Sequence, residues 1–346
     1  SNANPSSTLL VKAYTRLLAE TKPKSLIATS FDGVAEALFN IGTSLREQRA
    51  RETAMVFCRL ALWLRPEFPI AQLMMADMLD DGRRRIKANA LYASIDPNSP
   101  FRLSADLRRA SNLGIIKRLD AAIKLLENSV KKYPFTEQPL IKLGDLMRRN
   151  ERWNDAIDYY TKAIDRVGVL EKRHWWILYS RGIVLERAKR WPEAEKDFLR
   201  ALEFEPDQPY VLNYLGYSWV DKGVNLQKAL RMIHNAVRKK PNDGYIIDSL
   251  GWVYYRLGNY EKAVPELERA VQLRPEDPII NNHLGDAYWR VGRELEARFQ
   301  WKRALSFKPE AEVEDEVRKK LEKGLSPLKP VGLPKSVDTP LTPDKT

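Results

Sequence analysis

Residues 244–277 read GYIIDSLGWVYYRLGNYEKAVPELERAVQLRPED, and this stretch sets the pattern for most of the chain. Small residues stand at its eighth and twentieth places, Gly251 and Ala263, and Pro275 follows the last apolar residue. Apolar residues spaced three and four apart on either side of Gly258 predict two amphipathic helices. The stretch therefore predicts a pair of helices joined by a short turn.

The same spacing recurs about every 34 residues. Small residues occupy the eighth place of eight successive units: Gly42, Ala76, Ala110, Gly144, Gly182, Gly216, Gly251 and Gly285. Alanine follows at the twentieth place, with one extra residue before the sixth: Ala54, Ala88, Ala122, Ala156, Ala194, Ala229, Ala263 and Ala297. A period of this length split between two helices predicts stacked helical repeats over residues 35–311, because no single unit can bury its own apolar face.

These units resemble the tetratricopeptide repeat (TPR). The resemblance rests on the small residues, on a large apolar residue at the twenty-fourth place and on the closing proline, as in Trp301 and Pro309 of the eighth unit. It is weaker in the third unit, where Arg109 and Ser129 stand in place of Leu and Ala. The resemblance implies an all-α, right-handed superhelical solenoid of about eight TPR units.

The flanking segments predict the remaining domain organisation. Residues 1–3, Ser-Asn-Ala, resemble a cloning scar, so we expect the natural N-terminus to be missing. Residues 4–34 are predicted to hold a helix, near residues 7–20, and a linker. Residues 312–325 are rich in Glu and Lys and predict a polar capping helix, whereas the proline-rich tail 326–346 is predicted to be disordered.

Composition argues against an enzyme, a metal site and a cofactor. The three histidines, His174, His234 and His283, fall in different repeats without metal-ligand spacing, and we find neither a phosphate-binding loop nor a nucleophile motif. Cys58, the single cysteine, occupies a packing position and is expected to be buried and inert. The sequence has no run of eighteen apolar residues, so no transmembrane segment is predicted.

A net charge of +12 raises nucleic acid or an anionic membrane surface as an alternative partner. Residues 101–150, in the third and fourth units, carry eleven Lys and Arg against five Asp and Glu. These basic residues fall mainly in turns and at helix ends, where they favour helix termini and solubility. We therefore expect a nucleic-acid partner less than a protein partner.

The resemblance implies that places two, five, nine, twelve and thirteen of each unit line the inner groove of the solenoid. In the C-terminal half these places are rich in aromatic and polar residues, which suit a peptide interface. The predicted partner-binding residues are Trp176, Tyr179, Arg187, Tyr210, Asn213, Tyr217, Asp248, Trp252, Tyr255, Arg256, Asn282, Asp286, Trp289 and Arg290, with Tyr245 beside them.

The predicted function is a scaffold or adaptor that binds an extended segment or helix of another protein. Asn213, Asp248 and Asn282 stand at equivalent places, and an amide can grip a peptide backbone because it donates and accepts hydrogen bonds. The Lys and Asn pattern of carboxylate-clamp TPRs is not reproduced. Self-association is a further alternative, in which a neighbouring chain's terminal helix or proline-rich tail fills the groove.

Residues 212–321 also resemble the C-terminal tract of large, poorly characterised bacterial TPR proteins, most clearly at 216–219 (GYSW) and 248–252 (DSLGW). Those proteins are often exported. The resemblance therefore favours a bacterial cell envelope or periplasmic location over the cytoplasm as an expectation.

Overall fold

A computed structural model describes residues 27–326, and all the regular secondary structure of this range is helical, as the sequence predicts. It contains seventeen α-helices and no strand. They are α1 (Ser30–Glu47), α2 (Arg51–Leu64), α3 (Pro69–Asp81), α4 (Arg85–Ser94), α5 (Arg102–Ile115), α6 (Leu119–Lys132), α7 (Gln138–Arg149), α8 (Trp153–Val167), α9 (Trp175–Arg187), α10 (Trp191–Phe204), α11 (Pro209–Asp221), α12 (Leu226–Lys239), α13 (Gly244–Arg256), α14 (Tyr260–Leu273), α15 (Pro278–Arg290), α16 (Glu294–Ser306) and α17 (Ala311–Lys323).

Consecutive helices pack in pairs: α1 with α2, α3 with α4, α5 with α6, α7 with α8, α11 with α12, α13 with α14 and α15 with α16. Arg181 of α9 donates to Asp197 of α10 at 2.7 Å, so the described residues form eight helix-turn-helix units. The helical solenoid class is therefore confirmed. Helix α17 follows the last pair, packs against α16 and occupies the region predicted to hold a capping helix. A short 3-10 turn, Lys172–His174, precedes α9.

The small residues allow the two helices of a unit to approach closely. In the seventh unit a Cβ added to Gly251 would lie 2.5 Å from Cγ of Leu267, well inside van der Waals contact. Ala263 on the facing helix is fully buried. The closing prolines act as predicted, since α14 ends at Leu273, two positions before Pro275.

The turn inside each unit uses a left-handed residue at the fifteenth place. Units seven and eight place Gly258 and Gly292 there, with φ of 76° and 81°. In the second unit this residue is Arg83, with φ of 58°. The next amide, that of Arg84, donates to the carbonyl of Leu79 at 2.9 Å, which is the pattern of a Schellman motif.

The described residues form two compact units, and the chain passes from one to the other inside α10, between Asp197 and Phe198. In the N-terminal unit a core cluster surrounds Phe39 and Phe68, whose ring centroids are 5.2 Å apart. In the C-terminal unit the core includes the fully buried Trp301.

Two predictions concern residues outside the described range: the helix near residues 7–20 and the disordered tail, of which only Ser326 is described. No helix within 27–326 combines the length and the hydropathy that crossing a bilayer requires. Cys58 is buried as predicted, and burial raises the pKa of its thiol to about 11.

Candidate partner-binding surface

Three aromatic residues at the second place of their units lie at the surface. Trp176 is 37% exposed on α9, Tyr210 is 41% exposed on α11 and Tyr245 is 50% exposed on α13. Each tyrosine is covered on one side by a basic residue from the end of its own unit. Lys240 Nζ lies 5.8 Å from the ring centroid of Tyr210, and Arg274 Cζ lies 5.0 Å from that of Tyr245.

The other predicted residues of the fifth and sixth units are less exposed, except for Arg187 at the end of α9. Tyr179 is half-buried, with its ring centroid 6.1 Å from that of Trp175. Tyr217 and Asn213 are half-buried on α11. The Asn213 Oδ1 atom is buried without a hydrogen-bond partner in the described part of the chain, so it retains an acceptor for a ligand or a water.

In the seventh unit, Trp252 lies in a stack of three rings. Its ring centroid is 4.8 Å from that of Tyr255, with 8° between the planes, and 4.1 Å from that of His283 on α15. The Trp252 Nε1–H is buried and has no acceptor among the described residues. The stack therefore joins the first helices of the seventh and eighth units through aromatic contact.

His283 also carries a buried polar contact between these two units. Its Nδ1 lies 3.0 Å and 3.1 Å from the two carboxylate oxygens of Asp248. Burial lowers the pKa of His283, but the Asp248 carboxylate, with Asp286 behind it, outweighs burial and Lys320, and the net shift is upward. A protonated His283 therefore suits this position.

The arginines of the seventh and eighth units already have partners inside the chain. Arg256 donates to the backbone carbonyl of Asp221 at 3.2 Å. Arg290 Nε donates to the Tyr255 hydroxyl at 3.3 Å. Tyr255 is buried, and burial is the main cause that raises its pKa to about 12. Both guanidinium groups are therefore already hydrogen-bonded within the chain before any ligand carboxylate binds.

Lys320 of α17 binds the polar residues of the eighth unit. Its Nζ donates to Asn282 Oδ1 at 3.0 Å and to Asp286 Oδ2 at 2.7 Å. Trp301 Nε1 donates to the other Asp286 oxygen at 2.9 Å. Burial raises the pKa of Asp286, and the ammonium of Lys320 opposes this increase. The capping helix therefore supplies the cation that this buried carboxylate requires.

Trp289 also faces α17. A Cβ added to Gly324, just after this helix, would lie 2.1 Å from a ring carbon of Trp289. Arg298 Cζ lies 5.4 Å from the Trp289 ring centroid, so a cation covers the ring as well. Trp289 thus takes part in attaching the chain that follows α17.

The predicted surface therefore divides into two groups. Asp248, Asn282 and Asp286 are each less than a tenth exposed and are bonded within the chain. Tyr210 and Tyr245 remain accessible. Because α17 lies against the eighth unit, the open part of the surface in the C-terminal compact unit lies mainly on α11 and α13.

Sequence reasoning missed one recurring contact at the ninth place, which was assigned only to the groove. Where the twenty-fourth place carries tyrosine or tryptophan, the ninth place carries an aspartate fifteen residues earlier. The pairs are Asp77 with Tyr92 at 2.6 Å, Asp145 with Tyr160 at 2.7 Å and Asp286 with Trp301 at 2.9 Å. Units with an apolar twenty-fourth residue, such as Leu267, lack this aspartate. The spacing was a readable signal, because a buried donor needs an acceptor.

His283 and Lys320 were also missed, because their partners lie 35 and 38 residues away in neighbouring helices. Of the remaining histidines, His234 contacts the first helix of the next unit, whereas His174 makes a local contact. His234 Nε2 lies 2.8 Å from the Tyr254 hydroxyl, and His174 Nδ1 accepts from the Glu171 amide at 2.9 Å. Among residues 27–326, His, Cys, Asp and Glu side chains form no group of three able to hold a metal ion.

Two protein-family models match parts of the repeat region. One protein-family model, described as a tetratricopeptide repeat, matches residues 141–209. A second, described as a TPR repeat, matches residues 251–292. The chain contains tetratricopeptide repeats. TPR repeats generally mediate interactions between proteins, so a protein partner is the general expectation for this chain.

Among curated relatives, a TPR repeat-containing protein of Pseudomonas aeruginosa is 25% identical over 189 residues. The match covers 54% of the TPR chain and 31% of the relative, so the chain spans less than a third of that protein's length. A UDP-N-acetylglucosamine–peptide N-acetylglucosaminyltransferase of Giardia intestinalis is 24% identical over 139 residues, which are 40% of the chain but 8% of that enzyme.

Two solved structures share the fold of this TPR protein. A tetratricopeptide repeat protein from Parabacteroides merdae matches 84% of the chain and 99% of its own length, with a TM-score of 0.53 and 14% identity. In the APC/C hetero-tetramer Cut9–Hcn1, the match covers 92% of this chain and 59% of the matched chain, with a TM-score of 0.59 and 15% identity. Both similarities concern the fold alone.

Proposed function

We propose that this TPR protein is a non-enzymatic scaffold that binds a segment of a partner protein on the first helices of its sixth and seventh units. The observation that carries the proposal is the exposure of Tyr210 and Tyr245 at equivalent places of two neighbouring units. Tyrosine gives an interface a rigid apolar surface with a polar tip, at a low cost in side-chain entropy.

Two further rings extend this surface along the same helices. Tyr217 and Trp252 follow Tyr210 and Tyr245 by seven residues, which is about two helical turns and keeps them on the same face. Helices α11 and α13 contact each other directly. We call these four residues the aromatic stripe. Its two helices offer a continuous apolar surface to a partner helix or extended segment.

The charges beside the aromatic stripe indicate the chemistry of the partner. Lys240 and Arg274 cover one side of the exposed tyrosine rings. A segment with apolar residues flanked by Asp or Glu would place its apolar side chains on the rings and its carboxylates near these cations. The uncompensated Asn213 Oδ1 would accept a backbone N–H of the same segment.

The test uses the double variant Tyr210→Ala/Tyr245→Ala, because both side chains are exposed and their loss leaves the core intact. Peptides that bind the wild-type protein are selected from a displayed library, and their affinities are measured by fluorescence anisotropy. We expect the double variant to bind them at least about tenfold more weakly, since loss of a single hot-spot residue costs about 2 kcal/mol or more.

Phe299→Ala is the matched control, because Phe299 is 58% exposed in the same compact unit but lies on a second helix, α16. This control should bind like the wild-type protein. Selected peptides that bind the double variant and the wild type equally would refute the aromatic stripe as the binding surface.

A further inference from the structure

The turn inside each repeat places one residue in the left-handed region, and the identity of this residue changes along the chain. Units six to eight use Gly223, Gly258 and Gly292 at the fifteenth place. Units one to five instead use side-chain-bearing residues with φ between 57° and 63°: Arg49, Arg83, Lys117, Glu151 and Lys189. Four of these five residues are basic.

The backbone gives no reason for a basic residue in these turns. A Cβ in the left-handed conformation approaches the following carbonyl oxygen, and glycine avoids this contact. The later units show that glycine fits the same turn, since Gly258 forms the same Schellman bond pattern as Arg83. A residue kept in a disfavoured conformation, where glycine would fit, motivates a search for a function of its side chain.

The left-handed residues of units one to three are exposed cations without an ion-pair partner among residues 27–326. The side chains of Arg49, Arg83 and Lys117 are exposed, and within residues 27–326 none of them forms an ion pair. Arg84 and Arg118, the next residues of the second and third turns, are likewise exposed and without an ion pair in the described range. Each of these turns therefore presents a cation that pairs with no acidic side chain among residues 27–326.

The charge of these turns changes from the fourth unit onward. In the fourth turn Glu151 is acidic, and Arg152 Nε lies 2.6 Å from an Asp155 oxygen. In the fifth turn Arg190 binds Glu193 at 2.6 Å. Lys189 stays unpaired in the described range, but Arg190 beside it is bound to Glu193. The turns of units one to three are the ones whose cations at these places form no ion pair within residues 27–326.

Stacking of the repeats places these turns along one edge of the N-terminal compact unit. Successive units pack helix against helix, since α2 contacts α3 and α4 contacts α5. Equivalent turns of stacked units recur on the same side at about one helix-packing distance, roughly 10 Å. We call this row, formed by Arg49, Arg83, Arg84, Lys117 and Arg118, the basic edge.

Exposed aliphatic side chains accompany the basic edge. Ile86 follows the second turn and is 77% exposed, and Ile115 precedes the third turn and is 49% exposed. No aromatic residue occurs in residues 83–86 or 115–118. Single-stranded nucleic acid is bound by stacking bases on aromatic rings, whereas aliphatic side chains beside cations suit the interface of a bilayer.

We propose that the basic edge of units one to three docks on an anionic membrane surface. Lipid phosphates would accept hydrogen bonds from the guanidinium and ammonium groups, and Ile86 and Ile115 would enter the headgroup region. Such docking is peripheral and reversible, and it falls as salt screens the charges. The basic edge and the aromatic stripe share no residue and belong to different compact units, so docking is a separate activity from partner binding.

The test variant is Arg49→Gly/Arg83→Gly/Lys117→Gly. It replaces the three basic residues that adopt the left-handed conformation by glycine, which units six to eight have at the same place. Binding is measured by co-sedimentation with vesicles of about one part phosphatidylglycerol to two parts phosphatidylcholine, and with phosphatidylcholine vesicles alone. Each basic residue near an anionic surface accounts for about a fivefold change in partitioning, so the triple variant should bind about 100-fold more weakly. Its thermal midpoint should equal or exceed that of the wild type, which separates lost binding from lost folding.

Glu151→Gly is the matched control, because Glu151 occupies the same turn position with φ of 57° and the opposite charge. This variant should bind anionic vesicles at least as well as the wild type. The proposal is overturned if the wild type ignores anionic vesicles, if it binds phosphatidylcholine equally, or if the triple variant binds like the wild type. Binding to a single-stranded DNA oligonucleotide at physiological salt, under conditions where anionic vesicles bind no protein, would also overturn it, in favour of nucleic acid.

Discussion

Replacement of Lys320 by methionine tests whether the capping helix is held by a buried charge. Methionine keeps an unbranched side chain of similar length, so the variant removes the ammonium and retains much of the packing. In the wild type, Lys320 Nζ lies 2.7 Å from Asp286 Oδ2 and 3.0 Å from Asn282 Oδ1. The side chains of Lys320 and Asp286 are only 8% and 5% exposed, so water compensates little for the loss.

The loss of stability in Lys320→Met depends on the Asp286 carboxylate, which stays buried without its ammonium partner. Removal of one partner of a buried ion pair costs about 3–5 kcal/mol, because the other charge remains buried. Asp286 keeps its hydrogen bond from Trp301 Nε1, and it can take up a proton because burial already raises its pKa. We therefore expect the lower end of this range, about 3 kcal/mol near neutral pH.

The assay is hydrogen exchange of the amides of α17, which reports local opening of this helix. A loss of about 3 kcal/mol corresponds to exchange more than about 100-fold faster. Lys319→Met is the matched control, since Lys319 is exposed on the same helix, and it should leave exchange nearly unchanged.

The destabilisation caused by Lys320→Met should also depend on pH. An acid whose folded pKa lies above its unfolded value contributes stability below the unfolded pKa and loses this contribution as pH rises through the folded pKa. The cost of Lys320→Met should therefore shrink as the solution is acidified and Asp286 becomes neutral. Exchange of α17 that is equal in Lys320→Met and Lys319→Met would refute the reasoning.

Three further predictions concern the turns, the helix contacts and the buried histidine. Glu151→Gly should raise the free energy of unfolding by about 1 kcal/mol in urea titrations, because glycine relieves the left-handed strain, and a loss would contradict this. Gly251→Ala should lower it by about 1–3 kcal/mol in the same titrations, because the new Cβ would lie 2.5 Å from Leu267 Cγ, and an unchanged value would contradict this. The folded pKa of His283 is raised, so its contribution is fully present below the unfolded pKa and is lost as pH rises through the folded pKa. The thermal midpoint of the wild type should therefore exceed that of His283→Gln by more near about pH 6 than near about pH 9, and Asp248→Asn should abolish this dependence.

The fold could be predicted from sequence because its determinants are local and repeated. The 34-residue period, the close approach at Gly251 and the end of α14 before Pro275 each depend on residues within one unit. The left-handed turns were only partly readable. Gly258 and Gly292 signal such a turn, whereas Arg83 adopts it without any local preference.

The candidate site was less predictable, since its contacts join neighbouring units. The resemblance placed Asp248 and Asn282 at equivalent positions, but their hydrogen-bond partners, His283 and Lys320, come from the next first helix and from the capping helix. Which side chain reaches across depends on rotamers and helix packing, which periodicity does not specify. The exposure of Tyr210 and Tyr245 likewise depends on packing, and it is the structure that separates them from the buried groove positions.

The ring stack around Trp252 has a spectroscopic consequence. Its indole lies nearly parallel to the imidazole of His283, with 17° between the planes and 4.1 Å between the centroids. A protonated imidazole at this distance quenches indole fluorescence, whereas a neutral one quenches it far less. The difference in emission between the wild type and Trp252→Phe therefore follows the protonation of His283 in solution. The fluorescence of Trp252 thus reports the charge of His283 at the contact between the seventh and eighth repeats.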